Sequence, residues 1–265
     1  MKNLNYSREH IAYLKKQRNK KIIVNVSRVL VLVLILGIWE LCAQLKVIDP
    51  FITSSPSRVA VTIAELYNNG TLFYHIGITL AETFAGFIIA VVLGYGIAVI
   101  LWASDTVHKV IEPYIVVLNS LPKIALGPLI IIWIGTGYDA IIFMTVLVAI
   151  IVCIMNMLAG FIAVDKTKLL LMKSMGASKA VTLRKLIIPA SFPVLINTLK
   201  VAVGLAWIGS IMGEYIVSKA GLGYLIVYGG QVFKLDLVMT ATFILCVLAG
   251  GMYGIVTFIE KKINK

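Results

Sequence analysis

Charged residues are scarce in this chain of 265 residues, and acidic residues are half as frequent as basic ones. Asp, Glu, Lys and Arg together make up 14% of the sequence, whereas 60% of it is hydrophobic and the mean hydropathy is +0.98. A water-soluble domain carries about 25% charged residues. The shortfall excludes an ordinary soluble domain, and together with repeated apolar runs it predicts a polytopic membrane protein.

The sequence also lacks the residue patterns of a reaction centre. The dipeptide Gly-Lys never occurs, so no Gly-x-x-x-x-Gly-Lys-Ser/Thr loop is present to bind nucleotide phosphates. There is no His-Glu-x-x-His pair and no cluster of acids for a divalent metal, and the 3 cysteines all fall in apolar runs as expected for buried hydrophobes. We therefore predict that the chain is not an enzyme and has no catalytic residue, metal or cofactor of its own.

Six apolar runs are long enough to cross a bilayer. A span needs about 20 residues, because a helix rises 1.5 Å per residue through roughly 30 Å of hydrocarbon. Unpaired backbone groups are prohibitive in lipid, and the alternation typical of a membrane barrel is absent, so an all-α fold is predicted. The predicted transmembrane helices are residues 22–43, 77–102, 111–134, 139–162, 190–213 and 237–259. They belong to one membrane domain, residues 22–260.

The distribution of basic residues predicts the orientation of these spans. If the N-terminus is cytosolic, most Lys and Arg lie in the cytosolic segments, as the positive-inside rule requires. Both termini are therefore expected in the cytosol of a multi-pass cell-membrane protein. The net charge of +12 is then mainly topological and does not indicate nucleic-acid binding. The basic tail, residues 1–21, either lies on anionic headgroups as an amphipathic helix or is solvated.

A polar, basic segment at residues 165–189 separates the fourth and fifth spans. An apolar helical stripe leads up to Met175, and Gly176 suits a helix stop because a left-handed cap costs Gly no side-chain clash. Ser178 can cap a second short helix, which Pro189 is expected to end. The resulting helix–glycine–helix bracket on the cytosolic face is suited to contact with another protein.

Ionisable side chains inside spans are expensive and are therefore candidates for lining a solute path. Structural alternatives exist: Lys123 and Lys200 could pair with carboxylates or extend towards water, and Glu82 could be the partner of such a lysine. Prolines in the third span suggest either a path or a kink that serves packing. The candidates for the translocation path are Pro122, Lys123, Glu82, Lys200 and Glu214.

The segment at residues 165–189 resembles the cytosolic "EAA" loop of permease subunits in binding-protein-dependent ABC importers. That loop has the pattern Glu-Ala-Ala, three residues, Gly, nine residues, Ile-x-Leu-Pro, and here Gly176, Leu186, Ile188 and Pro189 fall at the matching spacings. The Glu-Ala-Ala positions instead hold Leu170, Leu171 and Met172. The resemblance implies an ATPase-coupling loop whose contact residues are Met175, Gly176, Ala177, Ser178, Leu186, Ile188 and Pro189.

Two further segments are similar to the nitrate/sulfonate/taurine type of these permeases. They are residues 121–135 in the third span, with the sequence LPKIALGPLIIIWIG, and Glu214 together with residues 221–224, Gly-Leu-Gly-Tyr. The likeness covers roughly residues 30–260. Glu82 departs from this group, in which an Arg is common at that point.

The resemblance implies the membrane subunit of an importer. Two copies of this chain would form the path, two cytosolic ATPase subunits would use ATP and grip the bracket, and an extracellular or periplasmic solute-binding protein would deliver the solute. An aliphatic sulfonate, nitrate or taurine-like anion is favoured, and a vitamin precursor such as a pyrimidine or riboflavin is the alternative. Lys123 and Lys200 favour an anion, whereas Glu82 argues against one. A stand-alone ion-coupled carrier and a membrane scaffold without transport remain alternatives of other classes.

Overall fold

The computed structural model describes residues 8–263, and over that range the chain is helical with no strand. Residues 1–7 of the predicted tail, and residues 264–265, lie outside it. The α-helices are α1 (Arg8–Gln44), α2 (Pro50–Thr53), α3 (Pro56–Asn68), α4 (Leu72–Ala103), α5 (Asp105–Ser120), α6 (Gly127–Ile134), α7 (Tyr138–Ile162), α8 (Lys166–Ser174), α9 (Lys179–Thr182), α10 (Ile188–Val217), α11 (Leu222–Gln231) and α12 (Leu235–Ile263).

Five helical segments in the described range are long and apolar enough to cross a membrane, and a bent pair makes a sixth crossing if it counts as one span. Five of the predicted spans fall within α1, α4, α7, α10 and α12. The prediction of an all-α membrane fold with about six spans is confirmed. Residues 8–21 of the basic tail continue the first span as part of the same helix.

The third predicted span, residues 111–134, is broken into two segments bent by 88°. Leu121 has extended backbone, as the residue before a proline prefers, and α5 therefore ends before it. A 3₁₀ turn over Lys123–Leu126 follows, with Pro122 as its N-cap, and Pro128 then lies in the first turn of α6. The two prolines thus divide the span rather than only kinking it.

The centre of the bundle is built from α4, α7 and α10. Thr145 of α7 is fully buried, with Gly86 of α4 on one side and Gly209 of α10 on the other. A Cβ atom on Gly209 would lie 2.6 Å from the Thr145 Cα atom, so a larger residue does not fit. Small residues at such crossings let membrane helices pack closely where lipid removes the hydrophobic driving force.

The predicted outer side carries a short helix, α3, between the first two spans. α3 begins where the Ser55 hydroxyl accepts from the Arg58 backbone N–H, and it ends at Asn68. The Arg58 guanidinium pairs with Asp236 of α12 at 2.6 Å. Glu40 of α1 accepts from the N–H and hydroxyl of Ser57. These bonds fasten the outer ends of α1, α3 and α12 together.

Replacing Gly209 with Val tests the helix crossing. Overpacking against the α7 backbone is expected to lower the free energy of unfolding by about 1–3 kcal/mol. Gly204→Val is the matched control, because Gly204 lies on the same helix and a Cβ there meets no atom within 4 Å. Thermal unfolding of the two purified variants in one detergent measures the difference, and equal melting temperatures would contradict the packing.

Candidate functional site: the coupling loop and the outer cavity

The segment at residues 165–189, called the coupling loop from here on, folds as a helix–glycine–helix bracket. Asp165 caps α8 by accepting from the Thr167 N–H at 2.8 Å. Gly176 then has φ +72, a left-handed conformation that favours glycine. The Ser178 hydroxyl accepts from the Val181 N–H at 3.3 Å and caps α9. The glycine stop and the serine cap are where the sequence predicts them.

Pro189 does not end the second helix of the bracket, so that prediction is wrong. The backbone widens into a π-turn over Leu183–Ile187, in which the N–H of Ile188 bonds to the Leu183 carbonyl. A π-turn bonds residues five apart, and Pro189, directly after it, has no N–H that needs a partner. The helix continues, so Lys179–Val217 is a single helical rod of 39 residues.

The inner face of the coupling loop packs on the ends of α4 and α7. Ile187 is completely buried in an apolar cluster that includes Leu101 of α4 and Phe161 of α7. The Lys179 ammonium donates to the Ala103 carbonyl, in the last turn of α4, at 2.9 Å. The bracket is therefore attached both to its own span and to the two helices that pack against that span.

The outer face of the coupling loop is apolar and uncovered within the described chain. Leu170, Leu171 and Met175 are 67%, 59% and 73% exposed. Leu170 and Leu171 occupy two of the positions where the importer pattern has Glu-Ala-Ala. A clustered apolar surface on an otherwise polar segment is typical of a protein-interaction site.

The path candidates Pro122, Lys123 and Lys200 lie at separate places. Pro122 and Lys123 lie at the bend between α5 and α6, where the Lys123 ammonium donates to the Asn119 carbonyl at 3.0 Å. The Lys200 ammonium on α10 pairs with Glu260 on α12 at 2.7 Å. Lys200 therefore pairs with a carboxylate, which the sequence left open as the alternative to a role in lining the path.

The other two candidates, Glu82 and Glu214, come together where α10 meets α4. Each side chain is 1% exposed, and the two carboxyl groups are neighbours. One oxygen of Glu214 accepts from the N–H groups of Gly223 and Tyr224. Apart from the contact between the two carboxyl groups, the second oxygen of Glu214 and both oxygens of Glu82 have no hydrogen-bond partner among the residues that the structure describes. Burying such groups unpaired is unfavourable, so this pair requires a donor or a shared proton.

The first turn of α11 explains why Glu214 is placed there. Free N–H groups at a helix start favour a carboxylate, and glycine leaves room for it because a Cβ on Gly223 would lie 2.8 Å from the Glu214 Cβ. α4 supplies two more acceptors: His75 Nδ1 accepts from Gly221 N–H at 3.0 Å, and Thr79 Oγ1 accepts from Leu222 N–H at 2.8 Å. Sequence reasoning missed His75, Thr79 and α11 itself, although Gly-x-Gly before an apolar run is a signal for such a helix start.

A cavity of about 260 Å³ opens beside this carboxyl pair, and it is called the outer cavity here. Its walls come from α4, the turn between α6 and α7, and the turn between α10 and α11. Glu82 lies on its wall, and so does Lys219, one of the few basic residues on the predicted outer side. The lining residues are Tyr74, Ile78, Glu82, Thr136, Gly137, Tyr138, Ile141, Val217, Ser218, Lys219 and Ala220.

Comparison with known families and proteins identifies the relatives of this arrangement. The family described as "Binding-protein-dependent transport system inner membrane component" matches residues 86–265. The taurine transport system permease protein TauC of Escherichia coli (strain K12) is 27% identical over 223 residues, which is 82% of this chain and 81% of TauC.

Other relatives are named for different solutes. A putative aliphatic sulfonates transport permease protein SsuC of Bacillus subtilis (strain 168) is 26% identical over 87% of this chain and 84% of that protein. The formylaminopyrimidine transport permease protein ThiX of Halalkalibacterium halodurans is 28% identical over 72% of this chain and 76% of ThiX.

The fold is that of a solved ABC transporter chain. The structure of the inward-facing MetNI methionine ABC transporter matches with a TM-score of 0.66 and 19% identity, covering 74% of this chain and 97% of that chain. A likeness at this identity shows the fold alone.

Replacing Thr79 with Val tests the junction between α4 and α11. The variant keeps the side-chain shape but leaves the buried Leu222 N–H without its acceptor, so a loss of about 1–3 kcal/mol in unfolding free energy is expected. Thr242→Val is the matched control, since the Thr242 hydroxyl bonds only within its own helix, to the Val238 carbonyl. Denaturant titration of both variants provides the comparison, and equal losses would reject the junction.

Proposed function

We propose that this chain, which belongs to the family of binding-protein-dependent transport system inner membrane components, forms the membrane path for a small sulfonate or related solute. An ATPase drives the transport by acting on the coupling loop. The chain is a permease subunit of an ABC importer and a multi-pass protein of the cell membrane. Its relatives are named as transport permeases, so its role is transport and not catalysis. ATP is used by the partner ATPase, and a solute-binding protein is the second partner that the family implies.

The single observation that carries the proposed mechanism is the continuity of the helical rod. α9, the π-turn and α10 form one continuous helix from Lys179 to Val217, with Pro189 and Pro193 inside it. An ATPase that contacts α8 therefore acts next to the end of a membrane-spanning helix, because only residues 175–178 separate α8 from the rod. Closure of the ATPase pair on ATP tilts this rod, and the bundle alternates between two access states that the partner biases by binding them differently.

Contact with the ATPase is made through the exposed apolar side chains of the coupling loop. Leu170, Leu171 and Met175 offer the apolar area, and burying it contributes about 25 cal/mol for each Å² removed from water. Leucines in place of the Glu-Ala-Ala pattern replace a polar contact by a hydrophobic one. The residues of the loop that set its shape are Gly176, Ala177, Ser178, Leu186, Ile188 and Pro189.

A second copy of this chain completes the path in this proposal. The broken third span presents Val116, Val117, Ile124 and Trp133 as exposed side chains around Pro122 and Lys123. A cation facing hydrocarbon is expensive, which favours a partner helix or a wet path over lipid beside Lys123. The homodimer would place two such faces around one axis.

The solute is a sulfonate or a taurine-like compound in this proposal, because the relatives TauC and SsuC carry those names. A pyrimidine or riboflavin precursor is the second candidate, favoured by the names of the relatives ThiX and RibX. The argument for a simple anion path is weaker than the sequence suggests, since Glu260 neutralises Lys200. An ion-coupled carrier working alone has only the Glu82 and Glu214 pair in its favour.

Charged substitutions on the outer face of the coupling loop test the proposed partner. A Leu170→Asp, Leu171→Asp double variant is expected to lose co-purification with its ATPase and ATP-driven uptake, while membrane insertion stays normal. Leu45→Asp, Val47→Asp is the control, because both residues are 72% exposed but lie on the predicted outer side. Retention of the ATPase by the loop variant, or uptake by the purified chain alone, would contradict the importer.

A further inference from the structure

A groove lies between the first and the last membrane-spanning helices and is called the basic groove here. Its volume is about 540 Å³, and its walls come from α1 and from the end of α12. Its polar lining residues are Gln17, Lys20, Lys21, Asn25, Arg28 and Lys261. We infer that the basic groove binds the phosphate of an anionic lipid headgroup. The site is separate from the coupling loop and the outer cavity, and it does not depend on the proposed transport function.

The basic groove concentrates positive charge that no described residue neutralises. Lys20, Lys21, Arg28 and Lys261 line it, and no Asp or Glu of the described range does. None of these four basic residues takes part in an ion pair formed within that range. Glu260, next to Lys261 in the chain, is instead paired with Lys200 at 2.7 Å. Because like charges repel, an anion bound between these side chains stabilises the arrangement.

The position of the basic groove along α1 favours a lipid over a soluble anion. Lys21, Val24 and Arg28 are spaced three and four residues apart, so they share one face of the helix. Arg28 lies six residues after the start of the predicted first span, about 9 Å along the helix axis. Further along the same face, Val31 and Ile35 are 55% and 60% exposed. A lipid matches both parts of this face, with its phosphate at the cations and an acyl chain on the apolar side chains.

The donors in the basic groove suit a headgroup that is negative overall. The Arg28 guanidinium can donate two parallel hydrogen bonds to a phosphate, and each lysine adds a point charge with three donors. The amides of Gln17 and Asn25 can donate to further headgroup oxygens. A headgroup such as phosphocholine carries its own cation and would add a positive charge to a site that already has an excess. Phosphatidylglycerol has no such cation, so it fits the groove better.

Two lipids with the same acyl chains test the inference. Native mass spectrometry of the purified full-length chain, titrated with palmitoyl-oleoyl phosphatidylglycerol or phosphatidylcholine, gives the affinity for the first bound lipid. Phosphatidylglycerol is expected to bind at least about ten-fold more tightly. Soluble glycerol 3-phosphate, which offers a phosphate without acyl chains, is expected not to displace it. Displacement at an equal concentration would assign the groove to a soluble phosphate and overturn the lipid assignment.

Matched triple variants separate a built site from diffuse surface charge. Both remove three exposed lysines from α1 and α12, so they change the net charge equally. The groove variant is expected to bind phosphatidylglycerol at least about ten-fold more weakly, and the control variant to change by less than about two-fold. The groove variant is Lys20→Gln, Lys21→Gln, Lys261→Gln, and the control, outside the groove, is Lys15→Gln, Lys16→Gln, Lys262→Gln.

Single substitutions at adjacent positions keep the test independent of how the triple variants fold. Lys261→Gln is expected to weaken phosphatidylglycerol binding about five-fold, whereas Lys262→Gln leaves it unchanged, since only Lys261 lines the groove. Equal weakening by the groove and control variants would show general attraction of a basic surface and overturn the inference. Equal affinity of the wild-type chain for the two lipids, or an unchanged affinity in the groove variant, would overturn it as well.

Discussion

The rest of the structure depends on the continuity of the helix from Lys179 to Val217, which persists through Pro189 and Pro193 although neither proline has an N–H to donate. A proline inside a helix, such as Pro189 at the end of the coupling loop, would ordinarily break or kink that helix. The π-turn at Leu183–Ile187 accommodates the proline. The N–H of Ile188 still bonds to the Leu183 carbonyl, and Pro189 has no N–H that needs an acceptor. The second helix of the coupling loop and the fifth span are one continuous helix as a result.

The two candidate sites lie at opposite ends of that element. At one end, Ile187 and Lys179 fasten the coupling loop to α4 and α7. At the other end, Glu214 holds the first turn of α11, and the turn that follows the rod forms a wall of the outer cavity. In the proposed mechanism, a tilt imposed by the ATPase would reach the cavity through one continuous helix. No chain of small side-chain movements is required between the sites.

Local chemistry explains what could be predicted from the sequence. The spans follow from apolar length, and the bracket follows from a glycine and a serine whose conformational preferences hold wherever they stand. The prolines of the third span predicted a path or a kink there, but the 88° bend depends on how the two segments pack. The glycine stop and the serine cap of the coupling loop needed only short-range information.

Contacts between distant residues could not be predicted in the same way. The pairing of Glu82 with Glu214, and of Lys200 with Glu260, depends on which helices become neighbours. The continuity through Pro189 depends on a π-turn, for which the sequence has no strong signal. In the sequence, His75 and Thr79 look like ordinary residues of a transmembrane helix. Their role as acceptors for backbone N–H groups at the start of α11 depends on α11 packing beside α4.

The most direct measurement is the distance across the rod in two nucleotide states. Spin labels at Ala180→Cys and Tyr215→Cys, both exposed positions, lie about 50 Å apart along a helix rising 1.5 Å per residue. Cys42, Cys153 and Cys246 are first replaced by serine. Double electron–electron resonance on the full complex should give the same distance without nucleotide and with ATP trapped, while the distance between the two copies of one label changes. A shortening of the distance within one chain on ATP binding would show that the π-turn is a hinge, and the account of a rigid coupling rod would be wrong.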